Sequence, residues 1–135
     1  MDSEGRPPFV VGATGEQAFD LEVERRVFEG FDARLRPVDI ETTDDAIEAL
    51  ADVDAVIDRL LTAPYTAEVI ESMANCAVVA RCGIGVDAID VEAATMRGTY
   101  VVNVPDYCQN EVAEHTLLVL LALARDFVAY DSTLK

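Results

Sequence analysis

The sequence predicts a doubly wound α/β domain: a flavodoxin-like, five-stranded parallel sheet in the order 2-1-3-4-5, followed by a long C-terminal helix. Three observations predict it. Short apolar runs suited to strands alternate five times with stretches that carry helix caps or an amphipathic pattern. The links between them are short, as right-handed crossovers between neighbouring parallel strands require. Hydrophobic residues make up 51% of the 135, enough for one domain with one modest core.

Taken in order, Met1–Pro8 is polar and reads as a disordered lead-in. Phe9–Gly12 is an apolar strand that runs into Gly12-Ala13-Thr14-Gly15. Ala18–Glu29 sets Leu21, Val27 and Phe28 among charges and predicts an amphipathic helix. Ala33–Ile40 alternates weakly, as an edge strand does. Thr43 is the expected cap of a helix through about Ala51, with Asp44 and Asp45 in the first turn where the helix dipole favours anions. Asp54–Asp58 centres on the strand Ala55-Val56-Ile57, and Thr66 caps a helix over Ala67–Met73. Ala77–Ala80 is an apolar run fit for a strand buried on both faces.

After the Gly-rich turn that follows, Asp87 or Asp90 caps a helix over Val91–Arg97, and Gly98 stands where a left-handed C-cap belongs. Thr99–Asn103 is the fifth strand, ended by Pro105. Asn110 is the expected cap of one long helix from Glu111 to about Tyr130. This helix is apolar almost all the way round, with Leu117, Leu118, Leu120, Leu121 and Leu123 among its residues. A helix of that kind has to be buried on all sides. The expected organisation is therefore a lead-in over 1–8, one α/β domain over 9–110 and a long apolar helix over 111–135.

Charge narrows the function. Twenty-six acidic residues against ten basic ones give a formal net charge of −16, and Lys135 is the only lysine. Such a chain repels nucleic acid and anionic membrane, so neither is an expected partner. An acidic, lysine-poor surface over a full core fits a halophilic protein, because concentrated salt screens the self-repulsion. Cys76, Cys82 and Cys108 are odd in number and lack metal-ligand spacing. They read as free thiols in a reducing compartment, and no apolar signal segment opens the chain, so the expected location is cytoplasmic. Leu117–Ala124 is too short to span a bilayer.

In an open α/β sheet, ligands bind beyond the carboxyl ends of the strands. Arg81-Cys82-Gly83-Ile84-Gly85 stands at such an end. Two readings of it are open. Its backbone N–H groups hold a carboxylate, or its glycines serve only a turn that needs positive φ. Arg81 itself is an ion-pair partner at the surface in the commoner reading. Gly12-Ala13-Thr14-Gly15 is neither G-x-G-x-x-G nor a P-loop.

Three linked blocks add to this. They are R-x-G-x-G-x-D-x-I-D at Arg81–Asp90, R-G-x-x-V-x-N-x-P at Arg97–Pro105, and V-A-E-H at Val112–His115 running on to Arg125. In this order they closely resemble the D-isomer-specific 2-hydroxyacid dehydrogenases, among which the phosphoglycerate-dehydrogenase-like and C-terminal-binding-protein-like members are nearest. The resemblance implies a two-domain oxidoreductase that uses NAD or NADP on a small 2-keto or 2-hydroxy acid. It implies that the Ile84 and Gly85 amides hold the carboxylate, that Arg81 reaches the substrate, and that Tyr107 contacts it. It further implies that Asn103 and Val112 lie toward the nicotinamide, Val112 by packing; a turn is the ordinary reading of Asn103. His115 and Glu114 belong to the V-A-E-H block and are helix residues, not the acid/base pair of the family. No G-x-G-x-x-G occurs in the 135 residues, so the isolated chain is expected to bind without turning over. The alternative is an interaction module, stand-alone or a truncated paralogue, that pairs through its apolar helix. Either way the long helix predicts self-association, most simply as a homodimer.

Overall fold

The computed structural model describes residues 8–15, 20–60 and 65–134. They fall into two compact units, Met1–Pro105 and Asp106–Lys135. The expected lead-in lies outside the described residues except for Pro8. The first unit runs β1 (Phe9–Thr14), α1 (Glu22–Val27), β2 (Ala33–Val38), α2 (Thr43–Leu50), β3 (Ala55–Asp58), α3 (Ala67–Ser72), β4 (Val78–Arg81), α4 (Val91–Arg97) and β5 (Tyr100–Val102). All neighbouring strands pair in parallel, in the order β2-β1-β3-β4-β5 that the sequence predicts.

The central strands β1, β3 and β4 carry the core. Val11, Val56 and Val79 are buried from them. Leu50 and Val53 close over the sheet from α2 and its exit, and Val69, Ile70 and Met73 from α3 and its exit. Gly12 lets that layer come close: a Cβ there would stand 3.2 Å from Val53 Cγ1 and 3.4 Å from Leu50 Cδ2. Its role is packing, within the strand. Pro37 sits in β2, an edge strand, where the missing N–H is tolerated.

Several boundaries differ from the sequence reading, each for a local reason. α2 is capped by Thr42, not Thr43. Thr42 Oγ1 accepts from Asp45 N–H at 3.2 Å, and Asp45 Oδ2 accepts from Thr42 N–H at 2.9 Å. Thr43 would face Ala46 at the same spacing, which cannot return the bond. α1 is shorter than Ala18–Glu29: it begins at Glu22 and gives way after Val27 to a turn at Gly30 (φ 89°), while residues 16–19 lie outside the description. Only Leu21 of its expected apolar face is buried. β2 stops at Val38, and Ile40 is buried beyond it.

The second unit holds α5 (Gln109–Ala124) and α6 (Phe127–Leu134) in place of one long helix. The break falls at Asp126, which adopts φ 48°. Aspartate is among the few residues that enter the left-handed region at small cost. Cys108 is the N-cap of α5, without a side-chain bond, so Asn110 is a helix residue and not the cap. The leucines of α5 are exposed, Leu117 by 57% and Leu123 by 72%. No helix among the described residues is long and apolar enough to cross a membrane.

Candidate functional site

The parallel register lines up the last residues of three strands. Thr14 of β1 is level with Asp58 of β3, and Asp58 is level with Arg81 of β4. Asp58 is fully buried. A buried carboxylate needs a counter-charge and donors. Arg81 Nη1 donates to Asp58 Oδ2 at 2.8 Å and also to the Leu60 carbonyl. Asp58 Oδ1 accepts from Thr14 Oγ1 at 3.2 Å and from Leu60 N–H at 3.0 Å. Tyr65 O–H stands 3.2 Å from Thr14 Oγ1. Thr14 has one proton; with that proton on Asp58, Tyr65 is the donor to Thr14. Burial, and next the Asp58 carboxylate, push the Tyr65 phenol well above its usual range, so it stays a donor.

Beyond Arg81 the chain enters the loop 82–86. Cys82 N–H is tied to Asp58 O at 2.8 Å. The segment leaving β5 holds the next two carbonyls: Val104 N–H donates to Gly83 O at 3.0 Å, and Asn103 Nδ2 donates to Ile84 O at 2.7 Å. In a planar trans peptide the N–H points opposite to its C=O. Fixing the Gly83 and Ile84 carbonyls toward residues 103–104 therefore turns the Ile84 and Gly85 N–H groups away from them. The hydrogen bonds of the described residues include none donated by either N–H. Ile84 and Gly85 are both exposed.

The glycines of this loop serve close approach. Neither Gly83 nor Gly85 is among the positive-φ glycines, so a positive φ is not what either supplies. A Cβ on Gly83 would lie 3.2 Å from Arg81 Nε and 3.5 Å from Nη2, so the guanidinium passes directly over it. A Cβ on Gly85 would lie 2.9 Å from Asp87 Oδ2, so the Asp87 carboxylate packs against the space that a side chain at Gly85 would fill. Asp90, not Asp87, caps α4, accepting from Ala93 N–H at 2.8 Å. Gly98 closes α4 at φ 81°.

The sequence-derived residues thus divide. Arg81, Ile84, Gly85 and Asn103 come together in the first unit, and Asn103 acts on the loop through Ile84. Arg81 is an ion-pair partner, but of a fully buried acid, with its own side chain only 15% exposed. Tyr107 and Val112 belong to the second unit and are exposed. His115 is exposed on α5. Sequence reasoning missed Thr14, Asp58 and Tyr65. The available signal was a charged residue closing each of two apolar strands, Asp58 after Ala55-Val56-Ile57 and Arg81 after Val78-Val79-Ala80.

A concavity of about 430 Å³ lies where β1 and β2 end, lined by Thr14, Leu21, Arg25, Val38, Asp39 and Arg59 among others. Arg59 pairs there with Glu24, and Arg25 with Asp20 at 3.9 Å. Among the described residues, the strand glycine Gly12 is packed against Val53 and Leu50 and is not open to a phosphate.

A parallel five-stranded sheet in the order β2-β1-β3-β4-β5, with helices in its crossovers, defines an α/β domain of the doubly wound class. A family model described as D-isomer specific 2-hydroxyacid dehydrogenase, catalytic domain, matches residues 19–133, and the chain belongs to that family. The D-3-phosphoglycerate dehydrogenase of Mycobacterium tuberculosis is 39% identical over 106 residues, 78% of this chain and 20% of the relative. The glyoxylate reductase of Thermococcus gammatolerans is 33% identical over 125 residues, 92% of this chain and 36% of the relative. The NAD+-bound 3-phosphoglycerate dehydrogenase structure of Entamoeba histolytica superposes with a TM-score of 0.69 at 24% identity, over 84% of this chain and 38% of that one, which shows the shared fold. The chain therefore spans about a fifth to just over a third of the length of these proteins.

Proposed function

We propose that this chain is the substrate-binding part of an NAD- or NADP-dependent D-2-hydroxyacid dehydrogenase, over residues 9–110, with 111–135 as the interdomain-type helix. The loop 82–86 holds the carboxylate of a small 2-keto or 2-hydroxy acid. The observation that carries this reading is the pair of outward N–H groups at Ile84 and Gly85, fixed by bonds on the opposite side of their peptides. Arg81 brings a guanidinium to the same turn across Gly83. A bound nicotinamide cofactor would supply the hydride chemistry. The residues in hand bind and orient the acid, which is the part of such a reaction that positioning supplies. Tyr107 is assigned to substrate contact, and Asn103 and Val112 to the nicotinamide side, on the family likeness.

Titrating the chain with glyoxylate while recording amide spectra tests the site. The Ile84 and Gly85 signals are expected to move first and most. Movement confined to Thr14 and Gly15 would refute the assignment.

The exposed leucines of α5 favour a second reading alongside it: a homodimer formed through that helix. The charge of −16 and the single lysine support a halophilic protein, and three cysteines without metal-ligand spacing support a cytoplasmic one. Its melting temperature is expected to rise between about 0.1 M and about 2 M potassium chloride, over which range the Debye length falls to a few Å. A flat response would count against it.

A further inference from the structure

We infer that Asn103 is a positioning residue of the carboxylate site: its side-chain amide sets the plane of the peptide between Ile84 and Gly85, and through it the direction of the Gly85 N–H. This rests on the loop 82–86 being that site, and it is a role apart from the nicotinamide side.

The two peptides that carry the donors are held by different means. The peptide between Gly83 and Ile84 carries the Ile84 N–H and is held by backbone alone, Val104 N–H donating to Gly83 O at 3.0 Å. Any residue but proline at 104 can supply that bond. The peptide between Ile84 and Gly85 carries the Gly85 N–H and is held by a side chain. Asn103 Nδ2 donates to Ile84 O at 2.7 Å, across 19 positions of chain. A turn asparagine bonds its near neighbours in sequence, so a turn does not account for this contact. A carbonyl only accepts, so the residue at 103 has to bring a donor.

The bond acts on the Gly85 N–H in two ways. It fixes the Ile84 carbonyl on the side of residue 103, and in a trans peptide the N–H then points the other way. It also polarises the peptide, which makes that N–H a stronger donor. Glycine restricts its own backbone least of all residues, so at Gly85 the constraint has to come from outside. Asn103 is exposed, so its effect falls on the loop and not on the core.

The test titrates the chain, Asn103→Ala and Asn103→Gln with glyoxylate, reading affinity by calorimetry and the loop by amide spectra, with melting temperatures alongside. Before any ligand is added, Asn103→Ala is expected to shift the Gly85 nitrogen and Ile84 carbonyl-carbon signals and to melt close to the parent. It is expected to bind glyoxylate about three- to tenfold more weakly, the scale of one net hydrogen bond. The response of the Gly85 amide to ligand should shrink while that of Ile84, held by Val104, persists. Asn103→Gln keeps an amide donor and is expected to recover part of the loss. Affinity within about twofold of the parent in Asn103→Ala would overturn the role. So would equal losses in the Ala and Gln variants, or Ile84 and Gly85 responses that fall together, since Asn103 would then not act as a donor to one peptide. If glyoxylate moves neither amide in the parent chain, the site itself fails. That outcome is distinct, because the parent is read without any substitution.

Discussion

Arg81 and Asp58 end neighbouring strands in register, and their side chains close a 2.8 Å ion pair whose acid is wholly out of solvent. The pair links the interior to the loop. Asp58 collects Thr14, Leu60 N–H and Arg81, and Arg81 then lies across Gly83.

Removing one partner of such a pair leaves the other uncompensated, which is far costlier than the pair's net worth. Asp58→Ala is expected to destabilise the first unit by about 3 kcal/mol, the low end of the range for broken buried pairs, because Arg81 keeps the Leu60 carbonyl and some water. Urea unfolding followed by circular dichroism measures this. A loss within about 0.5 kcal/mol, the scale of an ordinary surface change, would mean that the pair does not hold the loop.

Acid weakens the fold through its helix caps and surface pairs. The Thr42 hydroxyl and amide hold the Asp45 carboxyl below its ordinary value of 3.8, and Arg36 does the same for Asp52. Both folded values lie below the unfolded ones. Their contribution is therefore fully present above about pH 3.8 and is lost as the pH falls through the folded values. Thr42→Ala removes the hydroxyl half of the capping box and is expected to cost about 1 kcal/mol at neutral pH, with a smaller difference from the parent in strong acid. Equal differences at pH 7 and about pH 2 would contradict the coupling.

Much of this was legible in the chain. Apolar runs such as Val78-Val79-Ala80 and the short links between elements suffice for the strand order, because parallel pairing with short right-handed crossovers leaves few alternatives. Asp90 and Gly98 mark the two ends of α4 by chemistry that needs only neighbours in sequence. What escaped was long-range. Thr14, Asp58 and Tyr65 meet through strand register, across 44 and 51 positions of chain, and no local pattern encodes that. The choice between Thr42 and Thr43 turned on whether the residue three places on could return the bond. The break at Asp126 has no proline or glycine to announce it.

The apolar surface of α5 carries its own expectation. Leu118 is 62% exposed and Leu121 61% exposed. Each leucine buried on association contributes about 1.5–3 kcal/mol, so a few of them drive pairing. Replacing Leu118 and Leu121 with Glu is expected to convert a dimer into a soluble monomer by light scattering. An unmodified chain already monomeric at high micromolar concentration would remove the dimer.

The most direct measurement is a crystal structure of the chain soaked with a 2-keto acid such as glyoxylate. The account predicts density for the carboxylate within hydrogen-bond reach of both the Ile84 and Gly85 nitrogens, with Arg81 still paired to Asp58. Carboxylate density elsewhere, above all in the concavity beside Thr14 and Arg59, with those two amides facing only water, would contradict it.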